Sequence, residues 1–210
     1  MSFESIAAFI IASAFLSIAP GPDNIFVLTQ SALYGKQSGL LVTLGLCTGL
    51  IVHTTAVALG IAAIFQTSII AFTVLKVLGA VYLLYLAWQA FRASASAIES
   101  PGSNQRSSGA LYRRGIIMNV TNPKVSIFFL AFLPQFASLQ NGPIAPQIFL
   151  LGSVFIFVTL MIFSAIALLA GVLGGWLHSS PRAQVYLNRI AGTVFGMLAL
   201  KLATASADSK

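Results

Sequence analysis

"IAPGPDNIF" (residues 18–26) interrupts an otherwise apolar stretch running over 4–34. It introduces two prolines, a glycine, an aspartate and an asparagine. A helix that crosses a bilayer needs about 20 apolar residues, so 4–34 is about ten residues too long for one straight span. A proline inside a helix removes a hydrogen bond and clashes with the preceding turn. In lipid, the freed backbone groups must find partners inside the protein or in a water-lined cavity. The stretch therefore predicts a broken membrane helix beside a polar interior.

Composition agrees. Of 210 residues, 58% are hydrophobic and 7% charged, with a mean hydropathy of +0.93. Soluble domains carry about 25% charged residues, and a chain this poor in them cannot cover a polar surface. The reading is an integral membrane protein. Its net charge of +7 does not point to nucleic acid, because the cations are scattered between apolar runs instead of lining one face. There is no nucleophile–base motif, P-loop or dinucleotide-binding glycine pattern, so no enzyme and no cofactor is expected. His53 and His178 fall in different spans without carboxylate or thiolate neighbours, so no metal site is expected either. A single cysteine, Cys47, excludes a disulfide and a dithiol redox carrier. The N-terminus lacks a basic leader segment and carries Glu4, which reads as a retained first span.

Six apolar runs follow one another: 4–34, 39–65, 69–92, 112–136, 145–173 and 185–204. "GKQSG" (35–39), "QTS" (66–68), "LQNGP" (139–143) and "HSSPRAQ" (178–184) read as turns. A Ser-rich cytoplasmic linker, 93–111, divides the single transmembrane domain into halves 1–92 and 112–204. The loops after spans 1, 3 and 5 and their flanks hold Lys36, Arg92, Arg106, Arg113, Arg114, Arg182 and Arg189. The other side holds Lys76, Lys201 and Lys210. The positive-inside rule puts the linker in the cytoplasm and both termini outside.

The halves also resemble each other. "KVLGAVYLL" (76–84) aligns with "RIAGTVFGM" (189–197), matching Gly79 with Gly192 and Val81 with Val194. Pro22 aligns with Pro123, which interrupts the fourth span just as Pro20 and Pro22 interrupt the first. With three spans per half, the second half must run in the opposite sense. The fold class is thus an all-α membrane protein of about six helices in a 3+3 inverted repeat, with spans 1 and 4 broken by proline. In such repeats, Pro-interrupted spans at corresponding positions point to the binding site.

Pro22 and Pro123 suit the first position of a second half-helix, where no N–H is needed. Asn122 would cap its half-helix, and Asp23 would sit in a first turn whose dipole favours an anion. N–H groups at these ends would hold a carboxylate. Asp23 is the only acidic residue well inside a run, and a charge at that depth costs about 2.5–3.5 kcal/mol. Lys124 is its expected partner. Two readings stay open: a fixed ion pair locking the halves, or a site for substrate and proton. Asn119, one turn before the second break, is expected to bond freed carbonyls. His53 is either a proton relay or a packing residue. Thr48, Thr54 and Thr55 either line a path or satisfy their own backbone. Gly45/Gly49 and Gly192/Gly196 form G-x-x-x-G pairs suited to close helix packing.

"PGPDN" (20–24), "LGAVYLLYLAWQAFR" (78–92) and "GIIMNVTNPKVSIFFLAFLPQF" (115–136) resemble, in order, the lysine-exporter/RhtB family of bacterial amino-acid efflux transporters. The resemblance covers nearly the whole chain. It implies a multi-pass protein of the bacterial inner membrane that exports an amino acid or derivative by proton exchange, with a neutral substrate such as threonine, homoserine or leucine favoured. It carries over Pro20, Gly21, Pro22, Asp23 and Asn24 from the first motif and Asn119, Asn122, Pro123 and Lys124 from the last. The expected partners are an amino acid, protons and the lipid bilayer, and a homo-oligomer is compatible with the sequence. A passive small-solute channel and a non-transporting membrane assembly subunit are the alternatives.

Overall fold

A computed structural model describes residues 3–67, 69–93, 107–179 and 181–204. The described residues are helical throughout, with no strand. The order is α1 (Phe3–Ile18), α2 (Pro22–Tyr34), α3 (Lys36–Thr67), α4 (Ile69–Arg92), α5 (Ser108–Val120), α6 (Pro123–Ile127), α7 (Ile144–Ser179) and α8 (Pro181–Thr204). Within the Ser-rich linker, residues 94–106, including Arg106, lie outside the described residues, as does Lys210.

The broken spans form as their prolines require. Helix α1 ends at Ile18 and α2 restarts at Pro22, with the two axes bent by 59°. Helix α5 ends at Val120 and α6 restarts at Pro123, and the bend there is 49°. Each proline occupies the start of its second half, where its missing N–H costs nothing. Asn122 caps α6 by accepting the Lys124 backbone N–H at 3.0 Å. Gly21, at the equivalent place, has extended backbone and no side chain to cap with.

Beyond α6 the chain departs from the expected plain helix. A π-helical turn, Phe128–Phe132, leads into a 3₁₀ turn, Leu133–Phe136. Leu133 donates to Phe128 O, five residues back. Pro134 has no N–H to extend that ladder, so the helix ends there in a tighter turn. The turns are also shorter than composition suggests. Gly35, at φ +87°, closes α2 through its N–H to Ser31 O (3.0 Å) and lets α3 begin at Lys36. Helix α7 continues to Ser179, so "HSSPRAQ" is mostly helix. Residues 108–111, expected in the linker, open α5.

Helices α3 and α7 are each long and apolar enough to cross a membrane, over Lys36–Gly60 and Ile144–Ala170. The two bent pairs pass the same test when each pair is taken together, as a broken span or a re-entrant loop. Large apolar side chains point outward along the bundle, among them Ile51, Leu59, Phe157, Leu168 and Leu200. A soluble protein does not expose so continuous an apolar surface, and lipid covers it at no cost. The molecule is a helical membrane protein.

Inside, α3 packs on α5 and α7, α4 on α8, and α2 on α3 and α7. Glycines permit the closest crossing. A Cβ on Gly45 would meet the Tyr112 carbonyl, and one on Gly115 would meet the Val42 carbonyl, so α3 and α5 touch backbone to backbone. Gly192 lies against Phe91 and the Ala87 carbonyl, whereas Gly196 has open space around it. The second G-x-x-x-G is therefore a close contact at one glycine only. Gly79 packs on Ala131, so the matched glycines of the two halves have different neighbours.

Two apolar clusters flank the breaks. The larger is aromatic: Phe9, Phe128, Phe129, Phe132, Phe136 and Phe155, with ring centroids 4.9–6.4 Å apart. The smaller gathers Val27, Val42, Leu46, Leu111, Phe163 and Ala167.

Candidate functional site

The breaks in the two bent pairs meet at a small cleft lined by Gly21, Asp23, Asn24, Asn119, Asn122 and Lys124 with apolar walls. Small-molecule sites combine apolar walls with a few placed polar groups. Residues about a hundred positions apart thus share one site.

Asp23 is 5% exposed, in the first turn of α2. Its Oδ2 accepts from Asn119 Nδ2 at 3.4 Å, and its Oδ1 has no partner among the described residues. Asn119 Oδ1 is unpartnered too. A buried polar atom without a bond costs about 1–3 kcal/mol. Both atoms belong to residues that line the cleft, and a water or a ligand would satisfy them.

Lys124 differs from expectation. Its Nζ donates to Ala19 O at 2.8 Å, one of the carbonyls released by the break in the first span. It also lies 5.6 Å from the Phe195 ring centroid. The side-chain amides of Asn122 and Asn119 meet the Asp23 carboxylate, that of Asn119 at 3.4 Å. The two charges line the same cleft with the carboxylate still free on one side. The physical reason is the break itself: carbonyls at the end of α1 need donors, and a long amine reaches one. Gly21 lies beside it, and a Cβ there would be in ordinary contact with Nζ at 3.5 Å.

Asn24 serves the same break, donating its Nδ2 to Ser17 O at 2.5 Å. At the second break the roles are exchanged relative to expectation. The freed carbonyl is that of Asn119 itself, and it accepts from Asn122 N (3.0 Å) and lies 3.1 Å from His53 Nε2. The Asn119 side chain is released to face Asp23. It fits because Gly49 lacks a Cβ, which would lie 2.7 Å from Asn119 atoms.

His53 sits behind the cleft and does not line it, with its ring 5.6 Å from Phe129. Only an amide separates it from Asp23, and an amide carries no titratable proton. Thr54 satisfies its own helix, bonding Leu50 O, while Thr48 bonds both Leu44 O and Tyr112 OH. Cys47 is buried and free. Among the described residues no cluster of metal-ligating side chains forms.

Two polar lining residues escaped the sequence reading: Ser17 and Thr159, whose hydroxyls lie 3.1 Å apart across α1 and α7. Ser17 had a signal, being three residues before Pro20. Thr159 had only its isolation in an apolar run.

Residues 14–206 match the family described as LysE type translocator. The chain belongs to that family. A translocator moves solutes and performs no chemistry on them, so this protein is a membrane transporter and not an enzyme. The translocator is 34% identical over 205 residues to a homoserine/homoserine lactone efflux protein of Salmonella typhi, covering 98% of each chain. It is 32% identical over 200 residues to an uncharacterized membrane protein of Vibrio cholerae, covering 95% of the translocator and 97% of that relative. A Bacillus subtilis membrane protein, YrhP, is 31% identical over 200 residues, covering 91% and 94%. No solved structure matches.

Proposed function

We propose that the translocator exports a small amino acid, or a derivative of one, from the cytoplasm across the bacterial inner membrane in exchange for protons. The observation that carries this is the cleft where the two Pro-broken helix pairs meet. It offers a buried carboxylate with one free oxygen, a nearby amine and three carboxamides. That set complements a zwitterion. The substrate ammonium occupies the free side of Asp23. Its carboxylate meets Lys124 and the N–H groups at the start of α2, where the helix dipole favours an anion. A neutral amino acid is favoured, because one carboxylate neutralises one ammonium. Its relation to a homoserine/homoserine lactone efflux protein supports the same class.

The coupling follows from that pairing. Ionised Asp23 binds the ammonium from the cytoplasmic side. Protonation from the more acidic exterior neutralises the carboxylate and releases the ammonium outward. The protonated carrier then returns and loses its proton inside. One group thereby holds either substrate or proton, which is the requirement for exchange.

In architecture the reading is six spans in a 3+3 inverted repeat, halves 1–92 and 112–204, joined by a cytoplasmic linker. Proline at the start of both second halves and the similar bends support it. So does the packing of α3 on α7 and α4 on α8, the pairs that a two-fold relation maps onto themselves. The test is transport of labelled threonine and homoserine by the purified chain in proteoliposomes. Accumulation should follow an imposed pH gradient. Transport of neither amino acid under any gradient would defeat the proposal.

A further inference from the structure

Apart from Ser31 Oγ, which has no partner among the described residues, several buried hydroxyls of the helices differ from the Ser17–Thr159 pair. Ser13, Thr43 and Thr54 each donate to the carbonyl one turn back. Such a bond satisfies the hydroxyl within its own helix and leaves it nothing to offer. Ser17 and Thr159, 4% and 3% exposed, make no such bond among the described residues. Among the described residues their one hydroxyl bond is that between them, and either atom can be its donor. Two hydroxyls carry two hydrogens, and a single mutual bond uses one. Whichever group donates, the other keeps a hydrogen without an acceptor, and both oxygens keep spare lone pairs. Both residues line the cleft together with Asp23, beside the apolar side chains of Leu16, Phe155 and Phe163.

We infer that Ser17 and Thr159 are specificity-determining residues that select an amino acid carrying a hydroxyl on a short side chain. The inference rests on the cleft being the amino-acid site. The ammonium and carboxylate are held by groups on α2 and α6, which leaves the side chain to face α1 and α7. There the wall is apolar except for this pair. A substrate hydroxyl accepts the unspent hydrogen and donates its own to a free lone pair, so both sides are satisfied. A methyl group of the same size leaves that hydrogen buried and unpaired, and a site built to bond a hydroxyl rejects the analogue that lacks it.

The test compares homoserine with norvaline, which has the same chain length and a methyl in place of the hydroxyl. Both are offered to the full chain in proteoliposomes. The wild-type protein should favour homoserine by roughly tenfold or more. Thr159→Val, which keeps the shape of the side chain, should bring that ratio close to one. It should do so through weaker homoserine transport, leaving norvaline transport in place. Thr159→Ser should restore the preference. A pair that only clamps α1 to α7 would lower both substrates together and leave the ratio unchanged. Equal wild-type transport of homoserine and norvaline overturns the inference while leaving amino-acid export standing. Transport of neither defeats the functional reading itself. The wild-type comparison needs no variant, so a misfolded Thr159→Val still leaves a decisive result.

Discussion

At the scale of single residues, the protein places its few polar groups where a backbone has been opened. Asn24, Lys124 and Asn122 each answer a bond lost at a break. Asp23 is the ionisable group of the cleft that keeps a buried oxygen without a partner among the described residues. Asp23→Asn should therefore abolish accumulation driven by a pH gradient, as measured in proteoliposomes. Unchanged accumulation would remove Asp23 from the coupling role. Gly49→Ala is a subtler probe, because its new methyl would crowd the Asn119 amide without touching the cleft directly. A hydrogen bond to a charged group is worth about 1.5–3 kcal/mol. Displacing Asn119 from Asp23 should thus lower transport roughly tenfold or more, with the folded protein still recovered in detergent. Of these features, the motif residues were legible in the sequence. The role of Gly49 was legible only as close packing, because its neighbour Asn119 lies seventy positions away.

At the scale of elements, two kinds of contact hold the breaks in place. Caps are local: Asn122→Ala removes the side-chain acceptor of the Lys124 N–H and should cost about 1 kcal/mol. Thermal unfolding of the purified protein would register that as a lowered midpoint. Crossings are not local. Gly45→Leu would drive a side chain into the Tyr112 carbonyl and separate α3 from α5. Overpacking of this kind costs about 1–3 kcal/mol, so a lower unfolding midpoint than that of Asn122→Ala is expected. A midpoint equal to wild type would show that the two helices do not cross there. The caps were readable because Asn-Pro is a start signal in any context. The π-helical turn was not, since it arises from Pro134 acting on a ladder that began before it.

At the scale of the whole molecule, the cleft touches both apolar clusters, the larger aromatic one and the smaller one. Phe155 and Phe163 line the cleft and also belong to these clusters, one to each. Alternating access requires the two sides to open in turn. The proposed orientation has a direct check. In a Cys47→Ser background, Asn141→Cys should react with an impermeant maleimide added to intact cells, and Ser103→Cys only after permeabilisation. The reverse pattern would invert the topology and, with it, the direction in which the proton gradient drives transport.

The sequence by itself determined that the chain lives in a membrane, that its first and fourth apolar runs are broken, and where each half-helix restarts. Those outcomes depend on composition and on residues within a turn of one another, which act the same way in any fold. Only the tertiary structure decided what the polar residues face. Lys124 turns to the Ala19 carbonyl, Asn119 to Asp23, and Ser17 meets Thr159 from 142 positions away. Such partners are chosen by how the helices cross, and no spacing along the chain records that. "IAPGPDNIF" announced a break, while the cleft beside it came from the second break brought against it.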